Sequence, residues 1–321
     1  MTNPKRVLIT GATGFVGANL ARRLLSDGHH VHAIARPGYR PWRIQAIRGD
    51  LRLHVIDMGD EAAVNHCVAA VRPEWVFHLA VHGAYSSQQA IRTMVQTNIV
   101  ATINLVEACV QTGVSVIVNT GSSSEYGFKD HAPTEDEAID PNSYYAVTKS
   151  AATHYCRYMA QTHNLPIPTL RLYSVYGPYE EPTRLMPTLI RRGLNGELPP
   201  LVNPDVARDY VYTDDVNDAY LLAATQPHPD PGAVYNVGSG VQTTLREVVE
   251  VARDVMHISA EPDWGSMANR SWDTSVWVAN NAHIKATLGW QPRYTFADGF
   301  RAMVDWLRAH RDLYRVEGES R

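Results

Sequence analysis

Thr10-Gly11-Ala12-Thr13-Gly14-Phe15-Val16-Gly17 is the stretch from which the rest of the chain can be read. It directly follows the apolar run 6–10 and opens the amphipathic stretch 18–26. Glycines at this spacing allow a tight strand-to-helix turn and let the backbone come close to a ligand. The helix N-terminus beyond them offers free N–H groups and the positive end of a dipole, a combination suited to a pyrophosphate. Working outward, short apolar runs at 31–35, 53–56, 75–79, 115–119 and 168–173 read as buried strands. Helical patterns at 61–71, 90–111 and 143–163 lie between them. Strands spaced by helix-length segments imply βαβ units and a parallel sheet covered on both faces.

The expected fold class is therefore α/β, a Rossmann-type doubly wound parallel sheet with a smaller C-terminal α/β domain. From Gly177 onward the chain is richer in proline, tryptophan and irregular segments, with helices near 185–195, 244–256 and 296–308. The boundary falls near residue 175: a dinucleotide-binding unit over 1–175 and a substrate-binding unit over 176–321, with segments of each free to interleave. At 321 residues, about two domains are expected. A hydrophobic content of 45% and a charged content of 19% exclude a disordered, collagenous or coiled-coil chain. A net charge of -4 gives no basic footprint for nucleic acid. No stretch reaches the ~20 apolar residues of a membrane span, and the N-terminus has no signal-peptide core, so a cytoplasmic location is expected. Cys67, Cys109 and Cys156 have no metal-ligand or disulfide pattern, and no histidine pattern suggests a metal.

The tip of the second strand reads Ile34-Ala35-Arg36-Pro37, with Arg40 and Arg43 close behind. An acid at such a tip would accept hydrogen bonds from a ribose 2′-OH and repel a 2′-phosphate. Here no acid is present and Arg36 can pair with a phosphate, so NADP is preferred over NAD. Tyr145-Ala-Val-Thr-Lys149 places a phenol and an ammonium on one helix face. A cation beside the phenol lowers its pKa and makes it a workable proton relay. Tyr144 has no lysine four residues on. A hydroxyl donor is supplied after the fifth strand by Asn119-Thr-Gly-Ser122-Ser-Ser-Glu125-Tyr126-Gly127.

With these motifs the chain resembles the extended short-chain dehydrogenase/reductases, the nucleotide-sugar epimerase/dehydratase/reductase family. His78-Leu-Ala80, Asn98, Arg171-Leu-Tyr-Ser-Val-Tyr176-Gly-Pro178, Arg208-Asp-Tyr-Val-Tyr-Thr-Asp-Asp215 and Leu288-Gly-Trp-Gln-Pro292 extend the likeness over nearly the whole length. The resemblance implies a catalytic set of Ser122, Tyr145 and Lys149, with Ser123 as the fallback hydroxyl. It implies a cofactor lying along Gly11, Thr13, Gly14, Phe15, Val16, Gly17, Arg36, Asp57 and Met58. Leu79, Ala80, Asn98, Thr120, Tyr145, Lys149 and Tyr173 would complete that surface. Arg208 and Arg270 would hold the substrate diphosphate, and His82, Tyr85, Ser122, Ser123 and Ser174 the sugar. Ser174 departs from the family's usual Asn.

The resemblance implies hydride transfer at a sugar carbon with tyrosine moving a proton. Ser123 and Ser124 stand where related dehydratases carry an Asp-Glu pair, so water elimination is not expected. The Arg36 tip favours an NADPH-dependent 4-ketoreductase of a nucleotide-linked 4-keto-6-deoxyhexose. A 4-epimerase with tightly held NAD is the alternative, and a catalytically silent NADP sensor a more distant one. A homodimer through the helices at 90–111 and 143–163 is expected by the same resemblance.

Overall fold

The computed structural model describes residues 3–85, 87–269 and 274–314. Seven parallel strands form the main sheet: β1 (Arg6–Thr10), β2 (His30–Ala35), β3 (Arg52–Val55), β4 (Trp75–His78), β5 (Val116–Ser122), β6 (Thr169–Leu172) and, after two strands of a second sheet, β9 (Val234–Val237). Their order is β3-β2-β1-β4-β5-β6-β9. The order reverses at β1, between β2 and β4, which is where a doubly wound sheet opens a ligand crevice beyond its strand ends. The second sheet pairs β7 (Ser174–Tyr176) parallel to β8 (Ala207–Tyr212), with β10 (Gln242–Thr244) antiparallel on its other side.

Strand alternation explains the layers. On β1, Val7 and Ile9 face one core while Leu8 faces the other. The first core packs α1 (Phe15–Ser26) and, from the second half of the chain, α7 (Thr213–Thr225) and α9 (Ala282–Leu288). The second packs α2 (Glu61–Val71), α4 (Ala101–Thr112) and α5 (Tyr144–His163), and it holds all three cysteines as buried free thiols. A third core joins α6 (Leu185–Gly193), α8 (Leu245–Met256) and α10 (Phe296–Ala309) to the small sheet. The C-terminal half thus lends β9 to the main sheet and α7 and α9 to the layer that covers it.

The 90–111 pattern is not one α-helix. It divides into α3 (Ile91–Val95), a π-helical turn over Gln96–Val100, and α4. The wide turn carries Asn98, whose side chain is tied off the helix, as described below. Wide turns of this kind recur at functional sites. Among the described residues no helix is long and apolar enough to cross a membrane.

Candidate active site

The glycine loop has the shape its sequence implies. Gly11 sits at φ +73°, where a Cβ would stand 2.6 Å from the Leu79 carbonyl. A Cβ on Gly17 would run into the Gly11 carbonyl oxygen. Gly14 is the N-cap of α1 and supplies no side-chain cap, so the first-turn N–H groups of Phe15 and Val16 are left for a ligand. A backbone cradle of this kind fits a dinucleotide pyrophosphate.

A directional hydrogen-bond chain pins the floor of the crevice. Burial depresses the His78 imidazole to about 3, with the Lys149 charge adding to the effect, so the ring is neutral. Thr102 Oγ1 donates to the Asn98 carbonyl and therefore accepts from His78 Nε2 at 2.9 Å. His78 Nδ1 accepts from Thr10 Oγ1 at 2.7 Å, and that oxygen accepts the N–H groups of Leu79 and Ala80. Asn98 clips both the N–H and the carbonyl of His82, each at 2.8 Å, and donates to Thr148 on α5. The loop 81–85 is thereby registered against the catalytic helix. Thr10 and His78 each belong to a stretch the sequence singles out, but that they pair follows only from the register Thr10↔His78 between β1 and β4.

The side chains expected to be catalytic converge at the end of β5. Ser122 caps a short turn (Ser123–Tyr126), and Tyr145, in the first turn of α5, lies close enough for the Ser122 hydroxyl to favour its phenolate. Tyr144 is exposed on the opposite side. Burial pushes the Tyr145 phenol up to about 12, opposed by the Ser122 hydrogen bond and the charge of Arg184. Lys149 is buried, lowered by desolvation, and donates to the Thr120 carbonyl. Thr120 Oγ1 shares a 2.6 Å hydrogen bond with Tyr220 from α7. The i, i+4 spacing suggested that the ammonium would lower the phenol. In the structure the lysine is turned to the backbone, and burial dominates the tyrosine.

Glu125 is not free for acid–base work. Its fully buried carboxylate accepts from the Ser122 N–H (2.8 Å), Thr153 (3.2 Å) and Arg171 Nε (2.9 Å). It anchors the loop that presents Ser122. Ser123 Oγ accepts from the Trp277 indole at 3.2 Å, and Arg208 lies over that indole at 5.5 Å. Ser174 opens β7 and is half-buried. His82 and Tyr85 flank the crevice: burial lowers the first, with Arg36 adding to the effect, and raises the second. Arg270 lies outside the described residues.

Of the residues expected to meet the cofactor, Arg36 is exposed at the end of β2, and Asp57 Oδ1 accepts the Gly59 N–H at 2.9 Å while Met58 takes Asn104 on its carbonyl. Arg43 is buried and committed elsewhere: Nε donates to the Tyr179 carbonyl (2.8 Å) and Nη2 to Glu181 (2.7 Å). Trp277, Arg184 and the 179–181 segment were missed in the sequence, because they lie in irregular chain with no transferable spacing. Among the described residues no group of three or more His, Cys, Asp or Glu is placed to hold a metal.

A Rossmann-type sheet with a glycine cradle and a Ser–Tyr–Lys set at its mouth defines an NAD(P)-dependent oxidoreductase of the extended short-chain type. The model of the NAD dependent epimerase/dehydratase family matches residues 7–238, and the chain belongs to that family. It is 30% identical to a UDP-glucose 4-epimerase of Mycolicibacterium smegmatis, over 94% of this chain and 98% of the relative. It is 28% identical to a dTDP-glucose 4,6-dehydratase of Streptomyces griseus, over 96% and 95%. Among solved structures, the UDP-glucose 4-epimerase of Thermus thermophilus in complex with NAD superposes with a TM-score of 0.83 at 28% identity, covering 94% of this chain and 98% of that one.

Proposed function

We propose that the protein is a nucleotide-sugar 4-epimerase that retains its NAD(P). The observation that carries this reading is the composition of the catalytic mouth. The Ser122 hydroxyl lies beside the Tyr145 phenol there, Ser123 and Ser124 replace any acid–base pair next to them, and Glu125, the next carboxylate along the chain, is locked to Arg171. Chemistry at a sugar C4 oxygen is provided for, and elimination of water is not.

The first-turn N–H groups of α1, Gly11, Lys149 and Asp57 would hold the cofactor, and Arg208 with Arg270 the diphosphate. The bound nicotinamide would supply reversible hydride transfer, and its positive charge would favour the Tyr145 phenolate. Tyr145 takes the C4 hydroxyl proton and returns it, while Ser122 orients the oxygen. His78, Thr10 and Asn98 keep the crevice floor rigid, and the Arg43 clamp ties the loop after β2 to the 179–181 segment. A clamped rim favours retention of the cofactor between turnovers. Two results would support the reading: NAD(P) released by denaturing the purified protein in near-stoichiometric amount, and a Tyr145→Phe variant that keeps this cofactor yet loses about 1000-fold or more in turnover. A cofactor-free protein that oxidises added NADPH would contradict it.

One observation favours a second reading. Arg36, exposed at an acid-free tip, suits a 2′-phosphate and an NADPH-dependent 4-ketoreductase of a 4-keto-6-deoxyhexose. Arg36→Asp would then raise the KM for NADPH at least ~10-fold, and no such change is expected if NAD is the resident cofactor. We also propose a homodimer through α3 and α5. Ile91 and Val95, and Tyr144, Val147 and Tyr158, are exposed large apolar side chains at helical spacing. Light scattering should give twice the chain mass, and Val147→Glu should shift it toward the monomer.

A further inference from the structure

Ser122 and Tyr145 come from different elements, β5 and α5, so their spacing depends on what registers one against the other. Apolar packing is not directional, whereas a hydrogen bond fixes an angle as well as a distance. Two buried side chains of α5 reach across to β5 and its turn. Lys149 donates to the Thr120 carbonyl, and Thr153, one turn further along the same helix face, donates to Glu125 at 3.2 Å. The proposed function gives Lys149 a second duty toward the cofactor and Thr153 none. Glu125 is an unusual acceptor, because its Oε1 alone takes both the Thr153 hydroxyl and the Ser122 N–H, the latter at 2.8 Å. Its other oxygen takes Arg171 Nε from β6 at 2.9 Å, which stops the carboxylate from turning. The close approach is built into the strand, where a Cβ on Gly121 would stand 2.9 Å from Glu125 Oε1. Ser122 is held at its side chain as well: its Oγ accepts the Ser124 N–H at 3.2 Å, which leaves its own proton to donate.

We infer that Thr153 is a positioning residue for the reaction: through the Glu125 oxygen it shares with the Ser122 N–H, its hydroxyl holds α5 in register with β5 and sets how Ser122 meets the Tyr145 phenol. The inference rests on the roles proposed for Ser122 and Tyr145 at the sugar C4 oxygen. A hydrogen bond to a charged acceptor is shorter and stronger than one between neutral groups, and here the charge is braced by Arg171 rather than by solvent. Without the Thr153 hydroxyl, Oε1 keeps the Ser122 N–H but α5 loses its tie two turns beyond Tyr145. Displacing a catalytic group by about 1 Å is enough to cost on the order of 100-fold in rate. The charges of Glu125 and Arg184 and the phenol of Tyr85, which also bear on Tyr145, are untouched by such a change.

The test compares Thr153→Val, which removes the hydroxyl and keeps the shape, with Thr153→Ser, which keeps the hydroxyl and removes the methyl. Both are assayed as cofactor-loaded protein, well below their melting temperatures. Thr153→Val should lose about 10-fold or more in kcat with KM within about 3-fold, and Thr153→Ser should stay within about 3-fold of wild type in both. Thr153→Ala takes the place of the valine variant if that one does not fold. The second readout needs no sugar: 13C NMR of the cofactor-loaded protein labelled at tyrosine Cζ, with the Tyr145 signal assigned by its loss in Tyr145→Phe. In Thr153→Val the ionisation of Tyr145 should move up by about 0.5–1 pH unit, the worth of one hydrogen bond, and in Thr153→Ser it should stay in place. Equal kcat in the valine and serine variants, a loss in both that follows melting temperature, or an unmoved Tyr145 ionisation would overturn the inference. A wild type that turns over no nucleotide sugar would instead sink the functional reading, and the NMR comparison would still decide whether Thr153 registers Tyr145 against Ser122.

Discussion

At the residue scale the site is shaped by burial more than by charge pairing. Spacing put Tyr145 and Lys149 on one helix face and a hydroxyl-rich stretch after the fifth strand, and the family resemblance singled out Ser122 within it. The direction of Tyr145's shift was not legible, because it depends on how deeply tertiary packing hides the phenol. Glu180 illustrates the same point where no motif points. It follows Tyr179, held at φ +67°, and is 5% exposed with one carboxylate oxygen unpaired among the described residues. Burial pushes its carboxyl up to about 8, with Arg184, at 3.7 Å, opposing. The folded state therefore binds a proton that the unfolded chain has already lost above about pH 4.5. Stability from this group is complete below that pH and is lost as pH rises toward 8. Glu180→Gln should thus be more stable than wild type at pH 8, relative to the difference at pH 5, by on the order of 3 kcal/mol in urea titrations. Parallel pH profiles for the two proteins would remove Glu180 as the cause.

At the scale of elements, the βαβ run of the first half was readable because each strand and helix carries its own hydrophobic period. The expected 61–71 helix agrees with α2, and the first strand with β1. The π turn within 90–111 was hidden, since its cause is Asn98 reaching across to His82 and Thr148, contacts remote in sequence. The strands β7 and β10 are only three residues long, too short for a period to show, and β8 mixes polar and apolar residues in place of the apolar runs of the main-sheet strands. β5 runs to Ser122, beyond the apolar run, because it stays paired with β6 as far as Ser122↔Leu172, and the Glu125 capping box ends it there. The glycine turn is the element most sensitive to substitution. Gly17→Ala places a methyl against the Gly11 carbonyl, which is backbone and cannot step aside. NAD(P) affinity should fall at least ~10-fold in a calorimetric titration, with ~1–3 kcal/mol lost in stability. Wild-type affinity in the variant would mean that α1 can shift without opening the cradle.

At the scale of the whole molecule, the two halves share one fold. β9 pairs in register with β6, from Thr169↔Val234 to Leu172↔Val237, and forms the edge of the sheet two strands from β5. α7 supplies Tyr220 to the Thr120 hydroxyl and Asp215 to the N–H groups of Arg293 and Tyr294, which ties the Trp290 segment down. Residues 1–176 expressed alone should therefore fail to unfold cooperatively, whereas the full chain should give one steep transition by circular dichroism. A cooperative fragment would show that β9 and α7 are dispensable. The split near residue 175 was suggested by composition, yet the strand and helices lent back were not, because they carry no mark of the sheet they join. The central claim concerns the reaction, and the most direct measurement is NMR of the sugar after incubating the purified protein with UDP- and dTDP-linked hexoses and no added cofactor. The account predicts inversion at C4 with no net change in nicotinamide absorbance. Unchanged hexoses, together with stoichiometric loss of NADPH on a 4-keto-6-deoxy sugar, would contradict it and establish the reductase instead.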